Sequence, residues 1–506
     1  VTFIHEHLIA LLVVVPLIGA PLCLLLPNTR LPWYLATAVC AVLFFLGAVL
    51  LQQAAAGDPL SYSVGGWAPP WGIELRVDVL NALLALLIAA TAFVVVIFAG
   101  PSARCELPSN CISGFYAAFL LTLTGLLGIT VTGDVFNLFV FLEISSLSSY
   151  VLISLSRQRR ALLAAYQYLI LGTIGATFIL IGIGLAYAMT GTLNMADLAE
   201  RMPAVGATRT MHTAFAFITV GLAIKFALFP LHQWLPNAYA YAPSAVSTLL
   251  AAVATKVALY AMLRFVFAIF GVSLVFDDTP FGLVLLGFAL AGIIVGSGTA
   301  IFQSNVKRML AYSSITQIGY IVLGISMASL AALTASILHL VNHALMKATL
   351  FMALGCVFYR IGTITLSGMQ GIGRDMPWTM MAFVIGGASL IGIPLTAGFL
   401  SKWFLIVAAL ERGWWPVVIF IVAATLLAVV YIGRVVEAAW FKPAPPGREK
   451  VSEAPLLLLL PTWTLVLANI YFGVDSRLTL GMASLAAGQL LGDPGYVSPD
   501  LIGSLP

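Results

Sequence analysis

Residues 225–264 read KFALFPLHQWLPNAYAYAPSAVSTLLAAVATKVALYAMLR. Lys225 opens the stretch, Lys256 stands deep in its second half, and Pro230, Pro236 and Pro243 punctuate the first. A bilayer crossing takes roughly 20 apolar residues, and two such crossings fit here, 213–235 and 245–270. Each lysine is roughly ten residues, or about 15 Å, from either end of its span. That is too far for the ammonium group to reach the interface by bending along the helix. An ionisable group at a span centre costs about 2.5–3.5 kcal/mol even on insertion scales. A proline-broken span also lets polar backbone and water approach the midplane. The stretch therefore reads as the polar heart of a helical membrane protein.

The whole chain agrees. Of its 506 residues, 61% are hydrophobic and 8% are Asp, Glu, Lys or Arg, whereas soluble domains carry about 25% charge. The membrane is the solvent for most of the chain. The net charge of +4 comes without a Lys/Arg-rich patch with interleaved aromatics, so nucleic acid is excluded as a partner. The first apolar stretch lacks a basic leader and a small-residue cleavage site and reads as a retained helix. The five cysteines are scattered and fit no zinc or iron–sulfur spacing. Gly292, Gly296 and Gly298 lie in an apolar helix and read as packing, not as a phosphate cradle. His339 and His343 have no third anionic ligand nearby in sequence, so no metal and no cofactor is expected.

The fold class is an all-α polytopic membrane protein of about fourteen transmembrane helices: 7–26, 33–54, 78–99, 113–133, 134–155, 162–189, 213–235, 245–270, 281–301, 308–328, 331–358, 379–410, 415–438 and 455–474. Residues 57–77 suggest an extracytoplasmic β-hairpin, and 193–202 a surface helix. Residues 442–454 read as a polar linker, and 475–506 as a weakly structured tail. Loops after odd-numbered spans carry most of the Lys and Arg, among them Arg157, Arg159, Arg160, Lys307 and Arg308. Those loops are thereby placed in the cytoplasm of a bacterial or archaeal cell, and both termini outside it. The seventh span is broken at Pro230. The twelfth, in SLIGIPLTAGFLSKW (389–403), is broken at Pro394. Two broken helices five spans apart suggest inverted five-helix repeats. The division is then 1–112 (helices 1–3 and hairpin), 113–270 (helices 4–8), 281–438 (helices 9–13) and 439–506 (linker, helix 14 and tail).

Few ionisable residues remain inside the spans. Glu143 lies mid-way in the fifth, Lys225 in the seventh and Lys256 in the eighth. His339, His343 and Lys347 stack at i, i+4 and i+8 on the eleventh over about 12 Å, and Lys402 follows the break in the twelfth. Together they form a proton relay in physical outline. Low dielectric disfavours an ammonium ion, a nearby carboxylate restores it, and movement of the carboxylate releases the proton. Ser145, Ser146, Ser148, Ser149, Ser247, Thr248, Thr255, Thr396 and Ser401 are placed either to line water chains or to bond their own helices. His232 reads as close to the membrane surface, and Arg434 with Glu437 as a local ion pair.

These residues sit in stretches that resemble a known family: GDVFNLFVFLEISSLSSYVL (133–152), the 225–264 stretch itself, KRMLAYSSITQIGY (307–320), HLVNHALMKATLF (339–351) and GIPLTAGFLSKW (392–403). The chain resembles, over roughly 60–475, the antiporter-like subunits shared by Mrp cation/proton antiporters and the membrane arm of respiratory complex I. The resemblance implies fourteen helices with the seventh and twelfth broken. It also implies a Glu–Lys pair on helices five and seven (Glu143, Lys225), a linking lysine on helix eight (Lys256) and a terminal lysine on helix twelve (Lys402). SVGGWAPPWGIELRVD (63–78), FLEISSLSSY and TKVALYAMLR look closest to the Mrp-type D subunit. The implied function is proton translocation in a hetero-oligomeric complex that exchanges a monovalent cation, sodium first, for protons. The chain would then be a secondary transporter subunit rather than an enzyme. Two alternatives remain open: the proton-pumping subunit of a complex I-like oxidoreductase or membrane-bound hydrogenase, and an Mrp-like subunit serving inorganic-carbon uptake.

Overall fold

The computed structural model describes residues 2–26, 30–57 and 59–492. Twelve helices among them are long and apolar enough to cross a membrane. Numbered as spans, they are α1 (Thr2–Leu25), α2 (Leu31–Ala56), α3 (Val79–Glu106), α4 (Ile112–Val131), α5 (Val135–Ser154) and α6 (Arg159–Thr190). Then follow α8 (Ser244–Ile269), α9 (Phe281–Ile301), α10 (Val306–Met327), α11 (Leu330–Ile361), α13 (Trp415–Phe441) and α14 (Leu456–Val474). The remaining two spans are broken. α7 has arms Arg209–Lys225 and Leu235–Tyr241, and α12 has arms Pro377–Ile391 and Ala397–Glu411.

The helix ends follow from the local sequence. Asp78 and Asn81 form a reciprocal cap at the start of α3, and Asp134 caps α5, each satisfying backbone N–H groups that the first turn leaves free. α6 and α11 both run 32 residues and both end on a glycine at positive φ, Gly191 at 72° and Gly362 at 67°. These are positions where a side chain is strained. An isolated bridge joins Asp134 to Asn194 in one half, and another joins Asn305, the cap of α10, to Thr365 in the other. α4 packs along α5 as α9 packs along α10, and α6 along α7 as α11 along α12. Features thus recur at an offset of five spans, and an odd offset inverts their direction through the membrane.

Residues outside the spans are folded too. β1 (Leu60–Ser63) and β2 (Glu74–Val77) pair antiparallel, with Leu60 opposite Val77. A surface helix, Met195–Val205, starts on the cap Asn194. The linker is anchored: the Glu453 carboxylate accepts from the N–H groups of Trp378 and Thr379, at 3.2 and 3.0 Å, and so caps α12. The expected weak structure of the tail is corrected. Residues Arg477–Leu490 form a helix whose small residues Ala483, Ala486 and Ala487 are buried where it packs against α11 and α3. Of the tail, 493–506 lie outside the described residues. Arg434 and Glu437 do not form the expected pair; Glu437 instead meets Lys442 at 3.3 Å, beyond the apolar helix end.

Candidate functional site

The break in α7 positions the first charge pair. The first arm ends on Lys225, and Trp234 donates from its indole N–H to the carbonyl of Ile224 at 2.9 Å, tying the turn back onto the helix end. Ala227, inside the break, has φ of 60°. Lys225 is buried, and its ammonium donates to Glu143 Oε1 at 3.2 Å and to Ser146 Oγ at 2.9 Å. Glu143 side-chain exposure is 25%, because it stands at the edge of an α5 face that presents Val140 and Leu147 outward. His232 is half-buried within the break, stacked on Phe229.

Lys256 is fully buried. Residues 250–254, just before it, widen into a π-helical turn, a distortion that recurs at functional sites. The Lys256 ammonium donates to the Ala251 carbonyl inside that turn. No carboxylate is recorded against it among the described residues.

α11 is continuous, and its buried face carries the next three groups. Lys347 donates to the Leu310 carbonyl at 2.7 Å and also to Ser313 Oγ, both on α10. His339 bonds through Nδ1 to Ser401 Oγ at 2.8 Å and through Nε2 to Gln317 Oε1 at 2.9 Å. His343 lies between them, its ring stacked 6.2 Å from that of His339. It is fully buried with neither nitrogen partnered. Lys256, Lys347 and Lys402 all lie within electrostatic range of it. Lys402, buried on the second arm of α12, donates to the carbonyls of Leu390 and Ile391 that end the first arm. Gly392 turns the chain there at φ of 92°, and a Cβ on Gly398 would lie 1.9 Å from the Ser389 carbonyl oxygen.

The structure therefore brings Lys256, His339, His343, Lys347 and Lys402 together, and Glu143 and Lys225 as a separate pair. Pro230 and Pro394 fall inside the two breaks. Of the hydroxyls, Ser146 and Ser401 join charged or imidazole groups, whereas Ser145, Ser148 and Ser149 bond carbonyls of their own helix. Sequence reasoning missed Gln317 and Ser313 on α10. It also counted Lys307 as a loop charge, although it is buried and donates to Ser244 Oγ at 3.1 Å. Glu106 meets the same turn, accepting from the Ser244 N–H at 2.9 Å. The signal for Gln317 is an amide in a membrane span, beside the hydroxyls of Ser313, Ser314 and Thr316 and three residues before a tyrosine.

Comparisons with known proteins place the chain in a family. Residues 132–428 match the family model described as NADH:quinone oxidoreductase/Mrp antiporter, TM. The N subunit of the NADH-quinone oxidoreductase of Desulforudis audaxviator is 43% identical over 92% of this chain and 96% of its own. The D subunit of the Na(+)/H(+) antiporter of Bacillus subtilis is 29% identical over 97% of this chain and 99% of its own. Among solved structures, a chain of the Mrp complex from Dietzia superposes with a TM-score of 0.88 at 26% identity, covering 97% of this chain and 98% of that one. The family match spans both broken helices and every buried charge from Glu143 to Lys402. This polytopic membrane chain belongs to the family of antiporter-like subunits shared by NADH:quinone oxidoreductases and Mrp antiporters.

Proposed function

We propose that this chain is a proton-translocating subunit of a multi-subunit monovalent cation/proton antiporter of the Mrp type, with sodium as the exchanged cation. Protons pass among Glu143, Lys225, Lys256, His343, Lys347, His339 and Lys402. The observation that carries this reading is the arrangement of lysines around two broken helices. Lys225 faces a carboxylate at one break, and Lys402 faces backbone carbonyls at the other. In low dielectric the Glu143 carboxylate favours the charged ammonium, so its withdrawal expels a proton toward the chain of groups that begins at Lys256. Gln317 and Ser401 hold the His339 ring, and Ser401 immediately precedes Lys402 on α12. The two units 113–270 and 281–438 would supply one break each. The basic loops favour a prokaryotic cell membrane with both termini outside the cytoplasm.

Partner subunits follow from Glu143. A carboxylate partly exposed at the middle of a span is costly against lipid, so a neighbouring membrane protein is expected to cover that face of α5. The near full-length match to an antiporter's D subunit supports cation exchange. The higher identity to an oxidoreductase's N subunit favours a second reading, a redox-driven pumping component.

Purification with native partners, followed by reconstitution, separates the two. Under the antiport reading, an imposed sodium gradient acidifies or alkalinises the vesicle lumen, and Lys225→Ala abolishes the change while the complex still assembles. Iron–sulfur subunits that co-purify, with proton movement dependent on an electron donor and indifferent to sodium, would establish the redox reading instead. Full transport in Lys225→Ala would remove the relay from both.

A further inference from the structure

A cavity of about 1170 Å³ opens beside the β-hairpin, its polar wall including Glu74, Arg76, Asp78, Asn81, Tyr260 and Arg264. A space of that size with such a lining holds water. Its depth is set by α8, on which Lys256, Tyr260 and Arg264 recur at i, i+4 and i+8 and so share one face. Tyr260 and Asn81 make the floor, one turn from the buried Lys256. We infer that Arg264 is a cation barrier: its fixed charge closes the buried lysine–histidine chain to the hairpin-side cavity, so that a cation entering the cavity does not reach Lys256.

The charge is permanent and immobilised. A guanidinium does not lose its proton in proteins, and this one is largely buried. It donates to Asp78 at 2.6 Å, to Asn81 Oδ1, and through Nε to Tyr260 Oη at 3.1 Å. Its plane lies over the Tyr260 ring, 5.2 Å from the centroid. Tyr260 in turn donates to the Thr130 carbonyl at 2.9 Å, and Asn81 donates to Tyr260 Oη at 2.9 Å. The plug therefore joins α3, α4 and α8. Asp78 is not a free cation ligand, because one carboxylate serves both the cap of α3 and Arg264. Glu74, the first residue of hairpin strand β2, is held by neutral donors, Ser61 at 2.7 Å and Asn194 at 2.9 Å. An entering cation thus meets the Arg264 guanidinium at the base of the cavity, the device by which an arginine excludes cations from a water-filled pore. Lys256 donates away from that charge, toward Ala251.

The inference rests on the proposed proton chain, and the test separates the two. The intact complex is reconstituted in liposomes holding a pH dye, and passive proton entry is read under a potassium diffusion potential. Arg264→Gln is expected to raise passive proton entry several-fold, Arg264→Lys to stay as tight as the parent, and Arg264→Gln with Lys256→Ala to be tight again. Should Arg264→Gln fail to assemble, Arg264→Ser with Asp78→Asn removes both charges, keeps a capping side chain on α3 and a polar site, and is expected to leak in the same way. A tight Arg264→Gln or a tight double-neutral variant overturns the barrier, as does a leak that persists without Lys256. Lys256→Ala in the otherwise native complex reports on the proton chain itself. If coupled transport survives that change, the chain fails; if transport is lost while the Arg264 variants stay tight, only the barrier fails.

Discussion

Lys402 reaches back across the Gly392–Thr396 break to donate to Leu390 and Ile391, at 2.8 and 2.9 Å, so the cation of one arm of α12 terminates the other. A cation at a helix C-terminus is favourable, and the carbonyls there otherwise lack partners. The same side chain is therefore both a structural clasp and, under the proposed relay, a titrating group, and two substitutions separate the roles. Lys402→Arg keeps a donor at the break but does not release a proton at physiological pH. It is expected to hold thermal stability near that of the parent and to lose proton transport. Lys402→Met is expected to lose transport and about 1–3 kcal/mol of stability, the cost of stranding buried carbonyls. Thermal unfolding in detergent beside vesicle pH measurements checks both; an arginine variant that transports would remove Lys402 from the relay.

The Glu143–Lys225 pair is expected to show coupled energetics. Removing one partner of a buried ion pair costs about 3–5 kcal/mol, reduced here because Glu143 is partly exposed in the single chain. Glu143→Leu with Lys225→Met should then destabilise less than Lys225→Met plus Glu143→Leu summed separately, while all three variants lose proton movement. Additive losses in a denaturation cycle would mean that the pair is not coupled.

His343 carries two buried ring nitrogens without partners. Replacing an unsatisfied buried polar group by an apolar one of similar size is near neutral or stabilising. His343→Leu is expected to match or exceed the parent in thermal stability and to slow proton transport. A clear loss of stability would show instead that ordered water satisfies the ring.

The Glu453 cap on α12 gives a control outside the charge chain. Loss of a helix cap costs roughly 1 kcal/mol. Glu453→Ala should lower the unfolding temperature by about a degree and leave proton transport per assembled complex unchanged. A transport defect without a stability defect would contradict a purely structural cap.

Much of this architecture is legible in the order of residues alone. Lys225, Lys256 and Lys402 stand out because charge in an apolar span is expensive, and Pro230 and Pro394 mark the breaks because each removes a backbone donor. What stays hidden depends on distance in sequence. Arg264 and Asp78 are 186 residues apart, and no local pattern joins them. Lys307 looks like an ordinary basic loop residue, since orientation rules count charge and not burial. The helix Arg477–Leu490 is shorter than a membrane span and mixes leucines with Ala, Gly, Ser and Thr, so it does not stand out in sequence; its order comes from packing on α11 and α3. Glu437 turns toward Lys442 rather than Arg434 because the helix end offers a freer partner than the turn above it.

The hairpin-side cavity takes its walls from distant parts of the chain, Ala54–Gly57 near one end and Gln489–Gly492 near the other. Gln489 accepts from the N–H of Val79 at 3.3 Å, so the helix Arg477–Leu490 sits on the first turn of α3. During synthesis, α3 and the hairpin precede that helix by some four hundred positions, 410 separating Val79 from Gln489. The compartment above Arg264 therefore closes only after Gln489 has been made: each growing chain passes through a stage in which α3 and the hairpin exist and this chamber has yet to acquire that wall.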